Sequence, residues 1–470
     1  MPCIVQKSPR LTVRARVAYG VGNFASLTTG YGIGSLANFV FNLGLGVNPA
    51  LVGMAQAIPR LVDLVTDPLT GHLSDTLRAR WGRRVFVAAG AIVSAVFFAA
   101  IWLFPTGLSE RGYFLWLLGF SCATYIGWSL LSVPWQALGF ELTEDYHERT
   151  RLMAAATFFG GLAGIFYGWS YAATKLPWFD STIEGARWVG GAMALSILIS
   201  GCASALYVKE RPVSEPAQSH TGGLRGFGEA AGRVLASGPF RIMGGAVALM
   251  CIGVFSVGSI GPYIAIYYIK AGNEVEAAVL IGAAATAWQG TSLLLAAPVS
   301  WVSARVGKNR ALILFLAVAL VGNCLKWVCY QADHPWLFVV PSICFAAGFT
   351  ALWTLTTSMT ADICDWEEHR TGLRDRGTFA GFYVWVIKLG STLAFALGGV
   401  LINLTGFDVA KGTAQGAETL WRMRLVDFGL PTVCIAGAML LLLLYPLTEL
   451  KLQEMRGRLQ KDESYGGTPT

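Results

Sequence analysis

Residues 85–104 read VFVAAGAIVSAVFFAAIWLF, twenty consecutive positions without one ionisable side chain. A helix of about that length crosses the hydrocarbon core of a bilayer. In water it would have no polar face to set against the solvent. A second apolar block fills 426–445, and shorter ones recur along the chain. Charged residues make up only 13% of the 470 and hydrophobic residues 54%, with a mean hydropathy of +0.54. A water-soluble domain carries roughly 25% charged residues. These numbers predict an all-α integral membrane protein and argue against a soluble domain.

Hydropathy and helix breakers predict twelve spans, near 16–42, 49–72, 85–105, 113–140, 152–175, 186–208, 240–270, 275–300, 310–331, 336–361, 378–405 and 425–448. Basic residues gather in alternate connections: Arg78, Arg80, Arg83 and Arg84 after span two, Arg305, Lys308 and Arg310 after span eight, Lys451, Arg456, Arg458 and Lys461 after span twelve. The connections 106–112, 176–185, 271–274 and 332–335 are short and nearly free of Lys and Arg. The positive-inside rule then puts both termini in the cytoplasm. The start, MPCIVQKSPRLTVRAR, is polar and basic and has neither the apolar stretch nor the cleavage site of a signal peptide. The nine cysteines are scattered, without metal-ligand spacing or a disulfide framework, and fit small packing residues. The net charge of +7 follows from the basic connections and is no nucleic-acid footprint.

One long polar stretch, 209–239, separates an N-terminal six-helix half (1–208) from a C-terminal one (240–449), and 450–470 forms a cytoplasmic tail. The halves echo each other. DPLTGHLSDTLRARWGRR follows span two and APVSWVSARVGKNR follows span eight; ELTEDYHERTRL follows span four and DICDWEEHRTGLRDRG follows span ten. Two pseudo-symmetric halves are a common architecture for alternating access in secondary transporters.

Charges at membrane depth are costly and mark function by default. Span two contains RLVDLVTDPLTG, where Arg60, Asp63 and Asp67 fall on one helical face and Thr66 adds a hydroxyl. Pro68 withdraws a hydrogen bond from the carbonyl of Leu64. Two carboxylates, a hydroxyl and a carbonyl make a hard oxygen cluster suited to a hard cation. Two close carboxylates cannot both ionise in a low-dielectric site without compensation. A bound Na⁺, a proton, Arg60 or Lys388 could each supply it; a purely structural charge network is the competing reading. Further polar or aromatic side chains at depth (Asn23, Tyr125, Trp128, Ser129, Ser132, Trp135, Gln136, Trp353, Thr357, Tyr383) are candidate substrate contacts, with helix packing as the plain alternative. The loop charges Asp75, Arg83, Arg84, Glu141, Asp145, Arg149, Asp362, Asp365, Arg374 and Arg376 are candidate gating residues, expected to form salt bridges that break as the protein changes state.

At RLVDLVTDPLTGHLSD, SVPWQALGFELTEDYHERTRL and TADICDWEEHRTGLRDRGTFAGFYVWVIKLGS, and from YGVGNF (19–24) to about 405, the chain resembles the glycoside–pentoside–hexuronide:cation symporter family, typified by the melibiose permease. The resemblance implies the major facilitator fold of twelve transmembrane helices in two six-helix halves, and symport of a sugar with Na⁺, H⁺ or Li⁺. It implies that Asp63 and Asp67 are the cation-binding acids, with Thr66 and Ser129 as hydroxyl ligands. It further implies that Lys388 is the family's helix-XI lysine and that Trp353 lies near the sugar. The chain also departs from the permease's pattern. Where the permease grips sugar with one acid on helix I and one on helix IV, this sequence has Leu27 and Ser132; Thr157 replaces an arginine, and Gln136 an aromatic beside Trp135. The galactoside clamp is absent, so another glycoside, a uronide or sulfonated sugar, or a lysophospholipid is the expected cargo.

The reading is thus a cation-coupled sugar symporter of a bacterial inner membrane, expected to be monomeric, in contact with lipid, and without a cofactor or any metal beyond transported Na⁺. A lysophospholipid carrier on the same scaffold and a non-transporting sensor are the alternatives. No nucleophile–base constellation, metal motif or phosphate loop points to an enzyme.

Overall fold

The computed structural model of the chain describes residues 11–143, 145–208, 210, 231–371, 376–447 and 451. Most of the expected linker 209–239 and nearly all of the tail 450–470 lie outside the described residues. Among those described there is no strand. The long helices are α1 (Val13–Ala37, continued by a π-helical stretch Asn38–Gly44), α2 (Pro49–Thr76), α3 (Arg83–Trp102), α4 (Glu110–Glu141), α5 (Tyr146–Gly168) and α6 (Thr182–Tyr207). They continue with α7 (Gly238–Gly258, extended to Ile269), α8 (Glu274–Val306), α9 (Lys308–Cys329), α10 (Val339–Thr371), α11 (Arg376–Leu404) and α12 (Ala417–Leu443).

Among the described residues 9 helices are long and apolar enough to cross a membrane. The three that fall short, α1, α2 and α5, are also long, with 25, 28 and 23 residues. Their polar and glycine content lowers hydropathy: Arg60, Asp63 and Asp67 lie in α2, and Glu148, Arg149 and Arg151 at the start of α5. Several helices outrun the apolar blocks. The block-based start of span twelve at 425 becomes Ala417, and the end of span ten at 361 becomes Thr371. Both extensions are amphipathic, and backbone hydrogen bonding continues through them although the side chains have become polar.

Local signals set the ends. Asn48, Ser109, Asp145 and Ser181 each accept a backbone N–H as the N-cap of α2, α4, α5 and α6. Gly82 (φ 70°) and Gly307 (φ 88°) precede α3 and α9 in the left-handed region that favours glycine. These are the two echoed basic turns, with one backbone solution used twice.

The chain forms two compact units. The first comprises Met1–Gln218, Ser259–Leu293 and Phe395–Met423, and the second Ser219–Gly258, Leu294–Ala394 and Arg424–Thr470. In the first unit α3 lies so close to α4 that a Cβ at Gly127 would be 2.6 Å from the Ser94 nitrogen, and one at Gly90 would overlap Leu131. α1 packs on α5, where Asn23 Nδ2 donates to the Ala156 carbonyl (2.7 Å) and Gly20 faces Phe159. Tyr19, Ala91, Leu131, Trp135 and Leu138 are core residues here. In the second unit α9 and α10 approach closely at Gly322 and Gly348. Asn323 Nδ2 ties α9 to α12 through the Phe428 carbonyl and Thr432 Oγ1, both at 2.7 Å.

Candidate functional site

The three-and-four spacing on α2 places Asp63, Thr66 and Asp67 towards α4. Ser129 Oγ lies 3.0 Å from Asp63 Oδ1, 2.6 Å from Asp67 Oδ1 and 2.8 Å from Thr66 Oγ1. Asp63 and Ser129 are buried, with 1% and 0% exposure, and Asp67 and Thr66 are half-buried. The fold explains the placement of Ser129. The tight α3–α4 crossing at Gly90 and Gly127 flanks it, and Pro134 withdraws a hydrogen bond from the Leu130 carbonyl beside it.

A count of hydrogens shows what these four oxygens require. The three contacts share two hydroxyl hydrogens, and Ser129 can donate to one carboxylate at a time. With both aspartates ionised, one close oxygen pair has no hydrogen between its members. A proton on one carboxyl, or a cation among the oxygens, removes that mismatch. The ligand set is hard oxygen throughout, with no sulfur or imidazole. No group of three or more His, Cys, Asp or Glu suited to a metal ion occurs among the described residues.

Arg60, one turn before Asp63, is buried. Its Nη2 donates to the Gly30 carbonyl at 3.3 Å, and the guanidinium lies 4.5 Å from the Phe395 ring centroid, 5.5 Å from Tyr31 and 5.6 Å from Tyr125. It forms no ion pair among the described residues; aromatic faces hold the cation instead. Tyr125 Oη donates to the same Gly30 carbonyl at 3.0 Å.

The expected substrate contacts separate by environment. Trp128 donates its indole N–H to Ser26 Oγ (2.9 Å), and Gly30 sits against its ring. Ser132 is buried and Gln136 exposed. Trp135 is buried, stacked on Tyr19 at 4.6 Å, and donates to the Tyr19 carbonyl (3.0 Å). Ring and donor are thus both engaged in α1–α4 packing, where Trp135 is a core residue. In the second unit Trp353 is half-buried edge-on to Phe349, the Tyr383 hydroxyl lies 2.7 Å from Thr356 Oγ1, and Lys388 is half-buried on α11.

Of the expected gating residues, Arg83 joins Asp75 and Glu141 in one cluster. Arg78, which sequence reading omitted from that set, bonds Glu141 through two hydrogen bonds and pairs with Glu210 at 3.3 Å. Arg84 donates to the Val208 carbonyl. Asp145 caps α5, and Arg149 donates to the carbonyls of Phe140 and Thr143, so both shape the α4–α5 turn. Asp362 pairs with Lys308. Asp365 is half-buried on α10. Arg374 and the side chain of Arg376 lie outside the described residues.

Two buried charge sets escaped the sequence reading. Glu148, 3% exposed, pairs with Arg151 at 2.7 Å and Arg16 at 3.6 Å. Lys326 Nζ on α9 lies 3.1 Å from Asp427 Oδ2 on α12. Asp427 stands inside the 426–445 block, whose mean hydropathy hid it; a residue-by-residue search for charges within apolar runs would have found both partners.

Long apolar helices, echoed basic turns and a buried oxygen cluster fit a secondary transporter. Residues 18–449 match the family model described as MFS/sugar transport protein. An uncharacterised symporter of Synechocystis sp. is 24% identical, covering 96% of this chain and 97% of its own length. The isoprimeverose transporter of Lactiplantibacillus pentosus is 22% identical over 93% of this chain and 89% of its own. A bacterial homologue of the human lysosomal transporter Spinster, solved inward-facing and unoccupied, shares the fold with a TM-score of 0.66 at 17% identity, covering 92% of this chain and 97% of its own. The chain belongs to the glycoside–pentoside–hexuronide:cation symporter family of the major facilitator superfamily. It is a cation-coupled symporter for a sugar or sugar derivative.

Proposed function

We propose that Asp63, Asp67, Thr66 and Ser129 bind the coupling cation, Na⁺ or a proton, and that its binding prepares the protein for a sugar other than the acid-gripped galactosides. The observation that carries this reading is that the largely buried Ser129 hydroxyl lies within 3.0 Å of oxygens of Asp63, Asp67 and Thr66, three contacts that share two hydroxyl hydrogens. Filling the cluster ties α2 to α4, the helix that also bears Trp128 and Ser132. Linkage of this kind is reciprocal, so sugar tightens cation binding by the factor with which cation tightens sugar. Leu27 and Ser132 stand where the permease has acids, which favours a glycoside held by neutral hydrogen bonds and ring stacking. The charge bias of the connections supports an inner-membrane protein with both termini cytoplasmic.

The test is uptake in energised vesicles against a panel of glycosides, with Na⁺ and pH gradients imposed separately. Asp63→Cys is expected to abolish gradient-driven accumulation while exchange survives. Accumulation equal to wild type would refute the assignment.

A further inference from the structure

At the end of the first unit that carries its basic turn, α1, α3 and α6 bring two guanidiniums to one place. Arg14, in the first turn of α1, lies over the ring of Tyr207, the last residue of α6, at 4.4 Å from its centroid. Arg84, the second residue of α3, turns its Nη1 towards the carbonyl of Val208, the next residue along, at 3.5 Å. That is too long to satisfy the group. Arg14 is exposed and Arg84 half-buried, and neither forms an ion pair among the described residues. The acids around them already hold other bases: Glu148 holds Arg16 and Arg151, Glu141 holds Arg78 and Arg83, and Glu210 holds Arg78.

The surface that runs away from this pair is apolar. α3 and α6 pack antiparallel, with Gly201 against Ala91 and Gly190 against Trp102. Val85, Ile92 and Val96 make a lane on α3, and Leu195, Ile199 and Leu206 one on α6, all of them exposed. Spacings of seven and four keep each lane on one helical face. Each lane is offset from the α3–α6 seam in the same rotational sense, so in an antiparallel pair both open to one side. In a bilayer that side meets hydrocarbon, and Arg14, Arg84 and Tyr207 stand where hydrocarbon gives way to headgroups. Two cations without acids complement an anionic headgroup, whereas a zwitterionic one would set its own cation beside them. A guanidinium takes phosphate oxygens through two parallel N–H bonds, and Tyr207 adds a hydroxyl.

We propose that Arg14, Arg84 and Tyr207 form a headgroup site for an anionic phospholipid whose acyl chains lie along the two apolar lanes. Such a site depends on neither the cation cluster nor the cargo. The test is native mass spectrometry of the purified full chain in detergent, titrated with phosphatidylglycerol and, separately, with phosphatidylcholine of the same acyl chains. Phosphatidylglycerol is expected to bind the wild-type chain at least about tenfold more tightly. Arg14→Gln and Arg84→Gln should each weaken its binding about fivefold, and the two together about 25-fold, the effect of one and of two basic residues beside an anionic lipid surface. Arg305→Gln with Arg310→Gln removes the same charge from the other basic turn and should leave the tightest binding within about twofold of wild type. The comparison of lipids uses the wild-type chain, so it decides the matter even where a variant folds poorly. Equal binding of the two lipids, unchanged binding in the Arg14 and Arg84 double variant, or an equal loss in the Arg305 and Arg310 variant would overturn the site. Displacement of the lipid by inorganic phosphate would show a soluble-anion site in its place and overturn it too.

Discussion

Ser129→Ala tests the cation site most directly. The hydroxyl touches Asp63, Asp67 and Thr66 within 3.0 Å and is fully buried, so no solvent stands ready to replace it. Its removal takes one neutral ligand from the cation and one donor from the carboxylates, and leaves Thr66 alone on that side. A hydrogen bond to a charged group contributes about 1.5–3 kcal/mol. At about 1.4 kcal/mol per decade, cation affinity should fall roughly 10- to 150-fold. Volume changes little, and the Gly90 and Gly127 contacts that hold α4 are untouched, so the protein should fold. The change in tryptophan fluorescence during Na⁺ titration of purified protein gives the affinity, with Trp128 next to Ser129 as the reporter that Trp128→Phe would remove; proton binding is read from pH titration of the same signal. The apparent affinity for sugar at subsaturating cation should fall with it, through linkage. A folded variant whose cation affinity stays within about twofold of wild type would refute the hydrogen count and the site built on it.

Lys326→Met should destabilise the protein by about 3 kcal/mol, because it takes the ion-pair partner from buried Asp427 and leaves it to the Tyr330 hydroxyl and Arg424. Adding Asp427→Leu should recover much of the loss; denaturation in detergent checks both, and a harmless single substitution would show the pair to be hydrated. Lys388→Ala should change which gradient drives uptake, and how strongly, more than which sugar is carried. A shift in sugar preference alone would count against a charge role for that lysine.

Membrane class, helix positions and the two acids of α2 were legible in the sequence because each depends on local quantities. Twenty apolar residues must be a buried helix wherever they sit, and three-and-four spacing places Asp63 and Asp67 on one face whatever packs against it. The basic turns were legible as echoes, and their glycines do adopt the same left-handed backbone. Helix ends were less so. Backbone hydrogen bonds extend α10 and α12 past the apolar blocks, and hydropathy registers side chains only.

The remaining properties depended on partners distant in sequence. Trp135 and Trp128 are both tryptophans at membrane depth. Only the fold gives one the Tyr19 ring and carbonyl while turning the other towards Ser26. Arg60 shares a helical face with the aspartates, but only the fold shows its guanidinium among Tyr31, Tyr125 and Phe395, drawn from three other helices. Lys326 and Asp427 are 101 residues apart and stand out only as a pair. The sequence by itself determined what had to be buried and which helical face bore the charges, since those follow from solvent and helical pitch. The tertiary structure alone decided which buried groups meet. An isolated helix sets directions for its side chains, but a hydrogen bond or ion pair also needs a second helix at the right distance.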